Sequence, residues 1–385
     1  MHWLLTFIII SALTVVVPPL VMKLYTKRIL GSDIPDDEKM YKGVRGITFC
    51  TLLAVGVYFP PVIGLGIIGK VMEPLAEHIS SPFFGALIFM GILIAPLLIS
   101  IALTILAASK IEIREKGLSI RTLEIVKGIL KAFAFILLPG IIWLAIYTAL
   151  PDRVRNSTPA SFGIFVVYII AFFALSPYLT RFFSKPKPMP EPMRSELLKF
   201  CEGLGFRVKD IRVTGKKEYR IANAGVTGIL PFARYIFVTE YMLETFKPEE
   251  IKAVIAHEIG HIKGKHLWIN LLVAIGWFGF WMGVVFALIK LGVDILSPAV
   301  FFGAFGVAYV IYFVIIQGRI SLRNEFKADE FAAEVVGKKT VIRTLEKLAE
   351  VNLTPKRTGK WFNLLNYHPS IEERVRHLRE IEWPA

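Results

Sequence analysis

The sequence predicts a mainly α, polytopic membrane protein with about seven transmembrane helices and a cytoplasmic α/β unit. Three observations carry that expectation. The 385 residues are 55% hydrophobic and 12% aromatic, too apolar for a soluble domain of this length. Apolar runs of about 20 residues, enough for an α-helix to cross a ~30 Å hydrocarbon core, recur along the chain. Between the fifth and sixth runs lies a soluble stretch with alternating and amphipathic segments.

The runs lie near 3–22, 46–69, 83–108, 129–150, 161–183, 267–289 and 298–317. The first lacks the basic leading segment of a signal peptide. It ends in Lys23 where a small-residue cleavage site would stand, so it reads as a retained span. Pro60-Pro61, Pro96, Pro139 and Pro177 fall inside four of the runs and should kink them. Asp, Glu, Lys and Arg are nearly absent from all seven, which counts against an ion-coupled transporter.

The net charge of +14 gathers in alternate loops. One loop holds Lys23, Lys27, Arg28, Lys39, Lys42 and Arg45; another holds Lys110, Arg114, Lys116, Arg121, Lys127 and Lys131. The loops between them hold only Lys70, then Arg153 and Arg155, then Lys290. The positive-inside rule therefore puts the N-terminus outside, and the soluble stretch and C-terminus on the cytoplasmic side. Basic segments interrupted by apolar spans fit a lipid bilayer with anionic headgroups and no nucleic acid partner. Cys50 lies in a span and Cys201 in the soluble stretch, so no disulfide joins them.

The chain thus divides into a five-helix transmembrane region, 1–183; a cytoplasmic unit, 184–266; a transmembrane hairpin, 267–318; and a cytoplasmic C-terminal part, 319–385. Residues 184–192, SKPKPMPEP, form a stiff linker. Met193–Gly203 is an amphipathic helix with Leu197, Leu198 and Cys201 on one side. Residues 206–213 end in a strand, and 218–239 read as two short strands separated at Pro231. After a helix from about 240, a second begins at Pro248, with Glu249 and Glu250 at the positive end of its dipole. Ile251, Val254, Ile255 and Ile259 give it an apolar stripe of helical period.

That helix carries HEIGH, residues 257–261. His257 and His261 stand one turn apart on one face, where both imidazoles can reach one zinc ion. Glu258 projects close by as a general base for a zinc-activated water. Two residues compete to be the third ligand. His266 falls one residue short of the HExxHxxGxxH spacing, and along a continuous helix it would point away. Glu325 stands four residues before Asp329 in SLRNEFKADE; the Glu would bind zinc and the Asp would hold the far nitrogen of a histidine ligand. A hairpin of two spans between His261 and Glu325 would return the chain to the same membrane surface.

The C-terminal part holds a helix at 338–351 and then YHPSIEERVRHL, where Ser370 caps a helix with Glu373 as its box partner. His368 is either a solvated residue before that helix or, folded back, a group that steadies an oxyanion.

HEIGH, the ExxxD of Glu325 and Asp329, NAGVTG from Asn223, and HPS followed by Arg374 together resemble the integral-membrane gluzincin metalloproteases. That family includes the type I CAAX prenyl proteases and the HtpX-type quality-control proteases. The resemblance covers roughly residues 190–380, and the arrangement of spans is closest to the CAAX prenyl protease. It implies a zincin-like catalytic domain with one zinc ion on His257, His261 and Glu325, and Glu258 as base. It implies that Asp329 orients a histidine ligand, that Asn223 and Ala224 lie on a substrate-pairing edge strand, and that His368 and Arg374 stand near the transition-state oxygen or the substrate end. The substrate would be a membrane-associated peptide or protein, prenylated at a CAAX motif or, in the HtpX alternative, misfolded. The Gly225-Val226-Thr227 segment is closer to the HtpX type, so topology and strand point to different substrates. The alternative that is not an enzyme is a seven-span transporter or receptor in which HEIGH is incidental.

Overall fold

The computed structural model describes residues 2–64, 66–228, 230–293, 308 and 311–381. The chain divides into two compact units. One comprises residues 1–35, 39–170 and 285–307; the other comprises 36–38, 171–284 and 308–385.

The first unit is helical: α1 (His2–Leu30), α2 (Asp36–Gly64), α3 (Ile67–Ala76), α4 (Pro82–Glu115), α5 (Thr122–Ala149), the short α6 (Asp152–Arg155) and the first half of α7 (Thr158–Ser184). The second unit holds the sheet strands β1 (Lys187–Pro188), β2 (Asp210–Thr214), β3 (Ala224–Thr227) and β4 (Tyr235–Thr239). Its helices are α8 (Met193–Gly203), α9 (Glu240–Thr245), α10 (Pro248–Lys263), most of α11 (His266–Lys290), α12 (Gly318–Val336), α13 (Lys338–Val351), α14 (Lys360–Asn366) and α15 (Ile371–Glu380).

Six helices among the described residues are long and apolar enough to cross a membrane: His2–Leu30, Asp36–Phe59, Pro82–Glu115, Thr122–Ala149, Pro159–Ser184 and His266–Lys290. Five of them match the apolar runs closely; the second is offset from the run near 46–69, because its helix already begins at Asp36 and ends at Gly64, with a new helix from Ile67. Most of the seventh, 298–317, lies outside the described residues, and Ile311–Gln317 at its end is a π-helical segment leading into α12. Their outward side chains are apolar, including Ile8, Leu20, Phe49, Leu130, Ile136 and Val167, as a hydrocarbon solvent requires. Their contacts combine apolar side chains such as Met22, Ile29, Leu97 and Ile111 with small polar ones: Thr14, Ser100 and Thr104 are buried among α1 and α4, where short side chains let helices approach.

In the second unit the sheet order is β1-β2-β4-β3. β2 and β4 pair in parallel with Ile211 opposite Ile236, and β3 pairs antiparallel with β4 with Ala224 opposite Val238. The linker prediction for 184–192 is incomplete: Lys187 and Pro188 pair with Val213 and Arg212, and the proline is tolerated because it lies on an edge strand. Elsewhere the helix bounds at 193–203 and 338–351 agree with the sequence reading.

The second unit has two cores, divided by α10. Ile251, Ile255 and Ile259 pack with Leu197, Ile211, Ile236, Val238 and Met242 on the sheet side. Ala253 and Ala256 pack with Ala332, Ala333, Val341, Leu345, Val375 and Leu378 on the other. The small side chains on this second face allow α12 to come close. A Cβ built on Gly260 would stand 3.0 Å from the Ala328 Cα and 3.2 Å from its carbonyl oxygen. Overpacking of such a contact costs about 1–3 kcal/mol. Gly260→Val is therefore expected to lower the thermal unfolding midpoint in detergent. Gly276→Val, at a glycine whose added Cβ meets nothing within 4 Å, serves as the control; equal midpoints would count against the close contact.

Candidate metal centre

α10 is set by its first turn. Pro248 stands at its start, and the backbone N–H of Lys247 donates to Glu250 Oε2 at 2.8 Å. Glu250 is buried and also receives Lys347 Nζ at 2.7 Å, which ties α10 to α13. With its register fixed, α10 presents His257 and His261 on one face, their ring centroids 4.8 Å apart.

α12 brings Glu325 against both rings. The Nε2 atoms of His257 and His261 are 3.1 Å apart. His257 Nε2 lies 3.6 Å from Glu325 Oε2, and His261 Nε2 lies 3.3 Å from Oε1. Tetrahedral ligands at 2.0–2.1 Å from one ion stand about 3.3 Å from each other, so this triangle has the size of a metal site. Glu325 Oε2 is buried with no hydrogen bond, an acceptor that an ion would satisfy. Burial by itself would raise the Glu325 carboxyl. Hydrogen bonds from His261 and His368, with the charge of Arg374, outweigh it and hold the group well below the usual carboxylate range.

The remaining imidazole nitrogens are also held. His257 Nδ1 is 2.9 Å from Asp329 Oδ1, so its proton points to the carboxylate and Nε2 keeps its lone pair for a metal. His261 Nδ1 is 2.9 Å from His266 Nδ1. Ligation through His261 Nε2 leaves a proton on Nδ1, which His266 then accepts. His266 is buried and touches the centre, contrary to the expectation that it points away. The helix is not continuous: α10 ends at Lys263 with Gly264 as its cap, Lys265 turns with φ +55°, and α11 starts at His266. A Cβ on Gly264 would meet His266 Nε2 at 2.3 Å, so this glycine makes room for the ring.

α15 closes the back of the site. Ser370 caps it, accepting from the Glu373 N–H, and the Glu373 carboxylate accepts from the Ser370 N–H. Arg374 then binds Asp329 through both edges, Nε to Oδ2 at 2.7 Å and Nη2 to Oδ1 at 2.6 Å. Its Nη1 stands 3.5 Å from Glu325 Oε2. His368 comes directly after Tyr367, whose φ of +61° turns the chain, and its Nδ1 lies 3.1 Å from Glu325 Oε1. The His368 side chain is 65% exposed.

His257, His261, Glu325, Asp329, His368 and Arg374 line a cavity of about 300 Å³ together with Glu258, Asn223, Val254, Thr344 and Leu348. Ala224, next to Asn223, is the first residue of the edge strand β3. All the site residues named from the sequence thus fall in one unit, at or beside one cleft.

Residues 191–382 match the family model described as Peptidase family M48. The chain belongs to Peptidase family M48. Among curated relatives, it is 27% identical over 217 residues to a CAAX prenyl protease 1 homolog of Oryza sativa, covering 52% of this chain and 50% of that one. It is 31% identical over 187 residues to a Protease HtpX homolog of Methanocaldococcus jannaschii, covering 41% of this chain and 65% of that one. It is 26% identical over 251 residues to CAAX prenyl protease 1 of Saccharomyces cerevisiae, covering 55% of this chain and 53% of that one. The match thus spans between half and two thirds of the length of these relatives. The crystal structure of S. mikatae Ste24p superposes with a TM-score of 0.70 at 17% identity, covering 98% of this chain and 99% of that one. That likeness shows a shared multi-pass membrane fold.

Sequence reasoning misses two features of the M48 centre. One is the contact from His266. Gly264 is the available signal, since a glycine after a periodic run marks a helix end and resets the register of the next helix. The other is the bidentate hold of Arg374 on Asp329, which no local pattern announces.

Burial by itself would raise the Asp329 carboxyl, but the charge and hydrogen bonds of Arg374, with the His257 contact, hold it at about 2. Asp329→Ala removes both hydrogen bonds that hold the Arg374 fork, and losing half of a buried pair costs about 3–5 kcal/mol. Thermal unfolding in detergent should report that loss, and an unchanged midpoint would rule it out. The sign with pH comes from the depressed carboxyl. The pair's contribution is present above the unfolded value of ~3.9 and disappears as pH falls through about 2.

Proposed function

We propose that this protein is a membrane-embedded zinc endopeptidase, with His257, His261 and Glu325 as zinc ligands and Glu258 as general base. The observation that carries this reading is the triangle of two imidazole nitrogens and one carboxylate, 3.1–3.6 Å on each side. Two neutral imidazoles and a carboxylate suit zinc, with a fourth position left for water. Bound there, zinc would acidify a water and polarise the scissile carbonyl.

The protein's own residues supply the rest. Glu258 takes a proton from the attacking water and passes it to the leaving amine nitrogen. Asp329 keeps the His257 proton on Nδ1, and His266 does the same for His261, so both ligands turn a lone pair toward the ion. Arg374 positions Asp329 and sets positive charge behind Glu325. His368, partly exposed at the rim and bonded to Glu325, is suited to donate to the carbonyl oxygen as it becomes an oxyanion. An extended peptide adds to the outer edge of β3 beside Asn223 and Ala224, giving main-chain bonds with little sequence selectivity.

The charge bias of the loops supports a centre on the cytoplasmic side with the N-terminus outside. The name of the CAAX prenyl protease relatives suggests one substrate class, prenylated CAAX peptides, and the resemblance to the HtpX-type proteases suggests a second, misfolded membrane proteins. Detergent-purified protein incubated with prenylated and unprenylated peptides, with and without a chelator, separates them. Cleavage of the prenylated peptide alone would select the first class.

Glu258→Gln should retain zinc and lose about 10²–10⁴-fold in turnover. Full activity of that variant when metal-loaded would refute the mechanism. Glu325→Ala should lose zinc on dialysis, read by elemental analysis. Undiminished metal content would transfer the third ligand to His266.

A further inference from the structure

β3 is one of the sheet's two edge strands, and its alternation decides which backbone groups face outward. The Asn223 carbonyl accepts from Thr239 N–H at 2.9 Å, and Asn223 N–H donates to Thr239 Oγ1 at 2.9 Å. Asn223 is therefore turned toward β4, as are Gly225 and Thr227 by the period of two. Ala222, Ala224 and Val226 present their N–H and C=O groups on the other side.

At Ala222 that outer side is already filled. The Asn352 carboxamide accepts from Ala222 N–H at 2.9 Å and donates to Ala222 C=O at 2.8 Å. Two residues that exchange both bonds reproduce the hydrogen-bonded pair of an antiparallel ladder. Asn352 is the residue after α13, and α13 supplies Val341, Thr344, Leu345 and Leu348 to the cavity wall. The helix that walls the cleft thus ends in a side chain that takes a strand's place on the cleft's edge.

We propose that Asn352 closes one end of the peptide-binding edge, so that a bound peptide pairs with Ala224 and Val226 and cannot continue onto Ala222. This rests on the peptidase reading above. Asn352 is then a specificity-determining residue: it limits how many substrate residues on one side of the scissile bond gain main-chain bonds. It touches neither the ligands nor Glu258 and acts on binding alone.

The test uses the full-length, zinc-loaded protein in detergent. Unstructured peptides with one scissile bond are lengthened one residue at a time from either end, and kcat and KM are measured by mass spectrometry of the products. In the wild type, the gain with length should stop at a fixed residue on one end. In Asn352→Ala it should continue for about two more residues on that end only. For the longest peptides KM should fall about fivefold, the worth of a net hydrogen bond or so, with kcat held. Asn352→Asp keeps the shape and the bond from Ala222 N–H but loses the donor to Ala222 C=O; it carries the test if the alanine variant does not fold. Length profiles that match the wild type in a folded variant would overturn the proposal while leaving the peptidase reading intact. A wild type that cuts none of the peptides would overturn that reading, and this proposal with it.

Discussion

The close approach of α12 to α10 is the constraint on which the centre depends. It is set where Gly260 meets the backbone of Ala328, with no side chain to hold the helices apart. Ala253, Ala256, Ala332 and Ala333 continue the same short-side-chain contact. Helix spacing here is decided by side-chain size, and a few tenths of an ångström matter to a site whose ligand atoms stand 3.1–3.6 Å apart. The chemistry is thus built on a packing decision made within HEIGH itself.

Around that contact the electrostatics are layered. Asp329 is buried, and burial of a carboxylate is tolerable only with a partner. Arg374 supplies it through two parallel bonds, and Asp329 in turn fixes the tautomer of His257. Glu325 sits in the same positive field but keeps one oxygen without a hydrogen bond. The arrangement is asymmetric in a useful way: one carboxylate is saturated by protein and the other is left for an ion. α15, fixed by the Ser370–Glu373 box, delivers Arg374 from the far end of the sequence.

Much of this is legible residue by residue. The spans come from length and hydropathy, because a helix that crosses the hydrocarbon core must be long and apolar. HEIGH announces a paired-imidazole face because i and i+4 align on any helix. The ExxxD of Glu325 and Asp329 sets two carboxylates on one helix face for the same reason. The short strand that follows Asn223 and the cap at Ser370 are also plain from local pattern, whereas the strand's place at the sheet edge is implied by the resemblance alone. What local pattern misses is register after a break and partners across distance. His266 is misplaced by any reading that extends one helix through Gly264 and Lys265, where the backbone turns. The pairing of Lys187 and Pro188 with β2 reads as a bare linker, because prolines hide an edge strand.

The sequence by itself determined the membrane-spanning class, the position of the paired histidines, the placement of Glu325 and Asp329 on one helix face and the helix caps. These depend on period, length and backbone chemistry, all of which act over a few neighbouring residues. Only the tertiary structure decided that Arg374 faces Asp329, that His266 supports His261, and that Asn352 occupies the edge at Ala222. Each joins segments on different elements, and their selection lies in the packing of whole helices and strands, which no local run of residues encodes.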